Sequence, residues 1–262
     1  MSDRKKPKLS HAFTNAKSGV TWLVWYKASG KMLSRKMKYK YSNNEDDEIN
    51  FAAYSCCPEG VAKPSRGINP KYIHFQWSGK SLADLDEDFP TNLPLFYRLT
   101  YQTLKCMAEM HSRGITHGNL SKKKIFYYKS KFKIAYFEKG SKSEFLDPIS
   151  SISSLPLISD AEQKNLILNK KIDVKNLGLI LLKCIKPNFP ISKLGSLSEG
   201  AMENFVERKI RKLDLRIRNL FRKMLTFHDH NRCSMEEVFQ DWETTVIAVE
   251  ANKSLNERTV SR

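Results

Sequence analysis

Leu104, Met107, Ala108 and His111 recur at the spacing of one helical face, and Gly114 follows them as a C-terminal stop. The next residues constrain the fold most. His117-Gly118-Asn119-Leu120-Ser121-Lys122-Lys123-Lys124 form a polar loop, and Ile125 to Tyr128 then turn at Lys129-Ser130 into Phe132 to Ala135 as a short hairpin. The middle of the chain is thus committed to a helix, a loop and a hairpin in close succession.

The segments Val20 to Tyr26 and Tyr72 to Trp77 are aromatic and β-branched and read as strands. Between them Asn44 to Tyr54 is the only candidate helix. Helical patterns dominate after residue 81, so the expected class is α+β, with a small mainly β part at residues 12–77 and a larger helical part at 81–249. Residues 1–11 read as a basic disordered tail and 250–262 as a polar one. With 262 residues, the chain has about the size of one such domain.

No run of eighteen apolar residues occurs, and the basic start Met1 to Lys8 is not followed by an apolar segment, so neither a membrane span nor a secretory signal is expected. The five cysteines, Cys56, Cys57, Cys106, Cys184 and Cys233, show no framework spacing, which points to a reducing intracellular setting, cytoplasmic or nuclear. Arg4-Lys5-Lys6-Pro7-Lys8 has the composition of a nuclear import signal. His228, His230 and Cys233 lie close together but lack a second ligand pair, so no metal site is expected.

The net charge is +17. Its cations crowd the first forty residues, the stretch from Lys122 to Lys142, and the run Arg208, Lys209, Arg211, Lys212, Arg216, Arg218, Arg222 and Lys223. A field of this sign attracts phosphorylated proteins, nucleic acid or acidic surfaces, although a solvated lysine-rich surface produces it too.

Taken in order, these segments resemble the protein kinase family. Phe96 to Ile115 is similar to the helix that kinases place before the catalytic loop. His117 to Lys124 is similar to the loop H-R-D-L-x-x-x-x-N, Tyr136-Phe137-Glu138 to D-F-G, Asp173 to Leu181 to D-V-W-S-x-G-x-x-L, and Leu225 to Arg232 to L-x-x-D-P-x-x-R. Gly30 to Lys36 resembles the strand ending in the phosphate-binding lysine. Gly19 then falls at the third glycine of G-x-G-x-x-G, with Thr14 and Ala16 at the first two.

The resemblance implies a two-lobed fold in which residues that hold the structure are kept: His117, Phe137, Asp173, Gly178 and Arg232. Asp173 would brace the loop backbone, and Arg232 would pair with Glu162, which stands near the place of the A-P-E glutamate. Lys139 to Pro156 would be the activation loop, and Gly118 replaces the arginine that grips a phosphate there. Lys36 would meet nucleotide phosphates and pair with Glu48, with Glu45 as the neighbouring alternative. Thr21, Ser34 and Phe126 would line an adenine pocket that Phe126 could fill.

The residues of the chemistry itself are replaced. Asn119 stands at the catalytic base, Lys124 at the metal-binding asparagine and Tyr136 at the metal-binding aspartate. An amide has no useful proton affinity near pH 7, an ammonium repels a cation, and a neutral phenol is a poor ligand for magnesium. The resemblance therefore implies a pseudokinase that needs no cofactor, with magnesium not expected and ATP binding left open. Such a domain would act as a scaffold or allosteric partner of an active kinase or a phosphoprotein, through a basic surface that includes Lys122, Lys123 and the run from Arg208 to Arg218. A nucleic-acid-associated protein on the same platform is the first alternative. An active kinase with relocated groups is the second, and it lacks carboxylates, since Glu138 is the only acid from Ser121 to Lys142.

Overall fold

The computed structural model describes residues 8–15, 19–26, 31–37, 45–66, 72–76, 80–85, 93–128, 130–137, 160–196, 198–226, 228 and 231–245. The expected activation loop at 139–156, the tail at 250–262 and the loop residues Ala16 to Ser18 lie outside them. Strands β1 (Lys8–Asn15), β2 (Gly19–Tyr26), β3 (Lys31–Met37), β4 (Lys63–Arg66) and β5 (Tyr72–Gln76) form an antiparallel sheet in the order β1-β2-β3-β5-β4. Helix α1 (Glu45–Cys56) joins β3 to β4. A second sheet of three strands combines β6 (Lys80–Ser81), β7 (Ile125–Tyr128) and β8 (Lys131–Ile134).

The remainder is helical: α2 (Leu93–Ser112), α3 (Asp160–Ile185), α4 (Glu199–Ile210), α5 (Leu215–Met224) and α6 over residues 235–245. The class is α+β, as the segment pattern implies. No helix among the described residues is long and apolar enough to cross a membrane.

β1 begins at Lys8, inside the span expected as a disordered tail. Its reason is the length of β2, whose Trp25 pairs with Lys8 in the ladder. The backbone N–H and C=O groups of a strand need hydrogen-bond partners along its whole length.

α2 buries Phe96, Leu99, Leu104, Met107 and Met110 on one face, and it seals its buried hydroxyls internally: Thr100 donates to the Phe96 carbonyl at 2.8 Å and Thr103 to that of Leu99 at 2.7 Å. It stops where the sequence predicts. Gly114 adopts φ 69°, and the Ile115 N–H donates back to the Met110 carbonyl at 2.9 Å. α3 then packs on α2, and α5 on α3, around Val174, Leu177, Leu181, Leu220 and Phe221, all buried.

The two sheets are sewn together beside β8. Ala62 donates to the Ile134 carbonyl at 2.9 Å, and Ile134 donates to that of Gly60 at 2.8 Å. The polar turn before α6 is fixed by a reciprocal cap, with the Ser234 N–H on Glu237 Oε2 at 2.6 Å and the Glu237 N–H on Ser234 Oγ at 3.2 Å.

Gly178 sits where α3 crosses α5. A Cβ there would lie 2.9 Å from Met224 Cβ and 2.9 Å from Leu225 Cδ2. Alanine would gain up to about 1 kcal/mol of helix propensity. Met224 Cβ cannot swing aside, however, and overpacking costs about 1–3 kcal/mol. Gly178→Ala is expected to lower stability by about 1 kcal/mol in urea denaturation, and a stabilised variant would contradict this packing.

Candidate functional site

The site is organised by one carboxylate. Asp173, in the middle of α3, is wholly buried. Its Oδ2 accepts the His117 N–H at 2.6 Å and lies 3.2 Å from His111 Nε2, while Oδ1 accepts the Gly118 N–H at 3.0 Å. Gly118 turns with φ 71°, a conformation that side-chain-bearing residues rarely adopt. Asp173 thereby joins the end of α2, the loop and α3. Its oxygens are committed to holding backbone.

The His117 ring is also buried. The Asn119 N–H donates to His117 Nδ1 at 3.3 Å, so the proton sits on Nε2, which points at the Ala135 carbonyl at 3.4 Å. The ring packs on Phe137 with centroids 4.6 Å apart. Burial, then the charge of Lys124, hold its pKa down to about 4, against the opposing pull of Asp173.

Because the unfolded imidazole has the ordinary value of about 6.5, the unfolded chain binds the proton first as pH falls. The stabilisation is complete above about pH 6.5 and is lost as pH drops toward 4. It amounts to about 2 kcal/mol lost by pH 5 and about 3 kcal/mol by pH 4. Urea titrations across this window should show the slope, and His117→Phe should flatten it.

Phe137 is held on its backbone as well as its ring. Its N–H donates to Asn50 Oδ1 at 3.1 Å, and Asn50 Nδ2 donates to its carbonyl at 3.3 Å. Among the described side chains of α1, Asn50 is the buried polar one, whereas Glu48 is exposed. Glu48, expected to face Lys36, thus lies on the outer face of α1, while the side chains of Lys36 and of the alternative Glu45 lie outside the described residues. A helix of this register turns Ile49, Asn50, Ala53 and Cys57 inward and leaves position 48 on the outside.

Tyr136 is buried at φ 65°. Its ring meets Phe75 edge-on at 4.7 Å and Phe126 at 6.1 Å, within a small cluster that includes Ala62 and Ala135. Phe126, the expected floor of a nucleotide pocket, is thus buried against aromatic neighbours.

Lys122, Lys123 and Lys124 make one 3-10 turn, with Lys123 exposed and the other two half-buried. The Ala135 N–H donates to the Lys124 carbonyl at 3.0 Å, which brings this turn beside Tyr136. Asn119 is exposed. Asn119, Lys124 and Tyr136 are therefore an exposed amide, a half-buried ammonium and a buried phenol.

Gly19, Ser34 and Lys36 are placed by backbone register alone. Gly19 opens β2 opposite Asn15, Ser34 pairs with Leu23 and Phe75, and Lys36 pairs with Thr21 and Ile73. Arg232 is buried, with Nη1 on the Lys171 carbonyl and Nη2 on the Thr226 carbonyl, each at 2.9 Å. The Glu162 side chain lies outside the described residues. Its position in α3 is roughly 14 Å of helix axis before Lys171.

Of the basic run, Arg208, Lys209, Arg211, Lys212 and Arg216 are exposed where α4 turns into α5. Arg218 is half-buried. Arg222 is taken by Glu207 in a two-point pair at 2.6 and 2.9 Å, and Lys223 pairs with Asp241. Leu215 is 56% exposed because it occupies the first turn of α5, outside the buried stripe of Ile217, Leu220, Phe221 and Met224.

Sequence comparison supports a kinase-like domain. The chain is 25% identical over 232 residues, 84% of its length, to the dual specificity protein kinase pyk3 of Dictyostelium discoideum, and it covers 17% of that protein. It is 29% identical over 107 residues, 39% of its length, to a probable inactive serine/threonine-protein kinase of the same organism, covering 9% of it. The chain thus spans less than a fifth of either relative. No protein-family model matches it.

Proposed function

We propose that the chain is a two-lobed kinase-like domain that does not transfer phosphate and works as a scaffold or allosteric partner. The observation that carries this reading is Tyr136. At the position of the metal-binding aspartate stands a buried phenol whose ring packs on Phe75 and Phe126. Asn119 and Lys124 complete the loss, since phosphoryl transfer is almost entirely positioning and charge neutralisation by the base and the metal ligands.

On this reading the centre is structural. Asp173, His117, Phe137 and Asn50 hold the loop, α1 and α3 in one arrangement, and the exposed cations at the α4–α5 turn supply the partner surface. A phosphorylated protein or an active kinase is the partner that the basic surface suits, each exposed ion pair contributing about 1 kcal/mol or less. Nucleic acid is the second reading for the same cations. It predicts an affinity that falls linearly with salt in logarithmic units.

The test is the melting temperature of the purified protein with ATP, with and without magnesium, beside Lys36→Ala. No shift and no phosphotransfer are expected. A rise that disappears in Lys36→Ala would show a working nucleotide pocket and overturn the closed centre. A requirement for magnesium would overturn the assignment of the lost metal ligands.

A further inference from the structure

We infer that Cys57 and Cys106 form an oxidisable dithiol, a modification site that closes to a disulfide under a hydroperoxide and fastens the end of α1 to α2. Both are free thiols, and both are buried. They come from different elements: Cys57 follows the last residue of α1, and Cys106 lies on the inner face of α2.

Both sulfurs crowd against Gly60, which places them side by side. Gly60 is what lets them sit so close to the turn. A Cβ at that position would lie 2.6 Å from Cys106 Sγ and 2.8 Å from Cys57 Sγ. A cleft of about 340 Å³, lined by both cysteines together with Tyr101, Lys105 and Lys131, gives a small oxidant a route to the pair.

A cation stands beside them. Lys133 Nζ donates to the Pro58 carbonyl at 2.9 Å and to that of Val61 at 3.4 Å, which holds its ammonium on the turn that follows Cys57. A neighbouring ammonium favours thiolate, which is the reactive form. The neighbouring Cys57 sulfur, and then burial, push the Cys106 thiol well above its usual range. Either sulfur can attack first, and both orders close the same disulfide; with Cys57 first the course is as follows.

The chemistry balances in two steps. Cys57 Sγ attacks an oxygen of the hydroperoxide, the O–O bond breaks, and the products are a sulfenic acid on Cys57 and an alcohol or water. Cys106 Sγ then attacks the Cys57 sulfur, the S–O bond breaks, and the hydroxyl leaves as water with the Cys106 proton. The two thiols lose two electrons and the peroxide gains them. The new bond closes a loop of roughly fifty residues, long enough for a substantial constraint on the unfolded chain.

The experiment uses the full chain carrying Cys56→Ser, so that the tryptic peptide of Cys57 holds one thiol. The protein is treated with hydrogen peroxide, alkylated, digested and mapped by mass. The expected result is a Cys57–Cys106 linked peptide that is lost on reduction, with Cys184 still alkylated. The melting temperature of the oxidised form should rise by roughly 5–15 °C. Two outcomes would overturn the inference: oxidation at Cys233 while Cys57 and Cys106 are both recovered alkylated, or a link that forms only in urea. Because the map is read on protein with both thiols intact, the test does not depend on a Cys57 or Cys106 variant folding.

Discussion

Asp173→Ala is expected to remove about 3–5 kcal/mol of stability, lowering the melting temperature by on the order of 10 °C. The carboxylate is fully buried and receives the His117 and Gly118 amides while facing His111 Nε2. Its removal strands two backbone donors and a ring nitrogen, each unsatisfied group costing about 1–3 kcal/mol. Asp173→Asn keeps the shape but turns an amide NH2 donor toward a backbone N–H donor, so it should lose less than alanine and clearly more than nothing. A urea midpoint for Asp173→Ala within 1 kcal/mol of the parent would show that the loop is held by something else.

Tyr136→Ala is expected to lose about 3–5 kcal/mol, the range for deleting a large buried aromatic side chain. The edge-on contact with Phe75 and the packing on Phe126 go together, and the ring's volume is left as a cavity. The backbone adds a distinguishing control. Tyr136 sits at φ 65°, which costs an ordinary residue about 1–2 kcal/mol. Tyr136→Gly removes the same ring but relieves that strain, so it should be at least as stable as Tyr136→Ala. The reverse order in a denaturation series would mean that the positive φ is not a real cost here.

Much of this architecture could be read in advance because it is local. α2 announces itself by helical spacing and by Gly114, and the β7–β8 hairpin by its β-rich flanks around Lys129-Ser130. The candidate helix at Asn44 to Tyr54 corresponds to α1. Asp173 is legible only through the resemblance of Asp173 to Leu181 to the kinase helix motif, and its three contacts lie where a helix, a loop and a second helix meet.

What stayed hidden depends on distant partners. Glu48 and Asn50 are two residues apart on one helix, and only the docking of α1 decides which of them turns inward. An asparagine in a helix interior competes with the backbone and is unfavourable without a specific partner, which is the signal that could have singled out Asn50. Phe75 reads as one more aromatic in a strand until Tyr136 is placed against it. Cys57 and Cys106 gave no spacing pattern because their proximity is created by Gly60 and by the packing of α1 on α2. Leu215 looks apolar enough for a core, yet its place one residue after the Asp214 cap, whose side chain accepts the Arg216 N–H at 2.9 Å, sets it outside the buried stripe.

The clasp between Asn50 and Phe137 also carries a consequence for biogenesis. Its two ends are 87 residues apart in the chain. At synthesis rates of about 5–20 residues per second, roughly 4–17 s separate the emergence of α1 from that of its anchor. During that interval the Asn50 amide has no Phe137 backbone to hold, so α1 leaves the ribosome before the element that fixes its inner face exists.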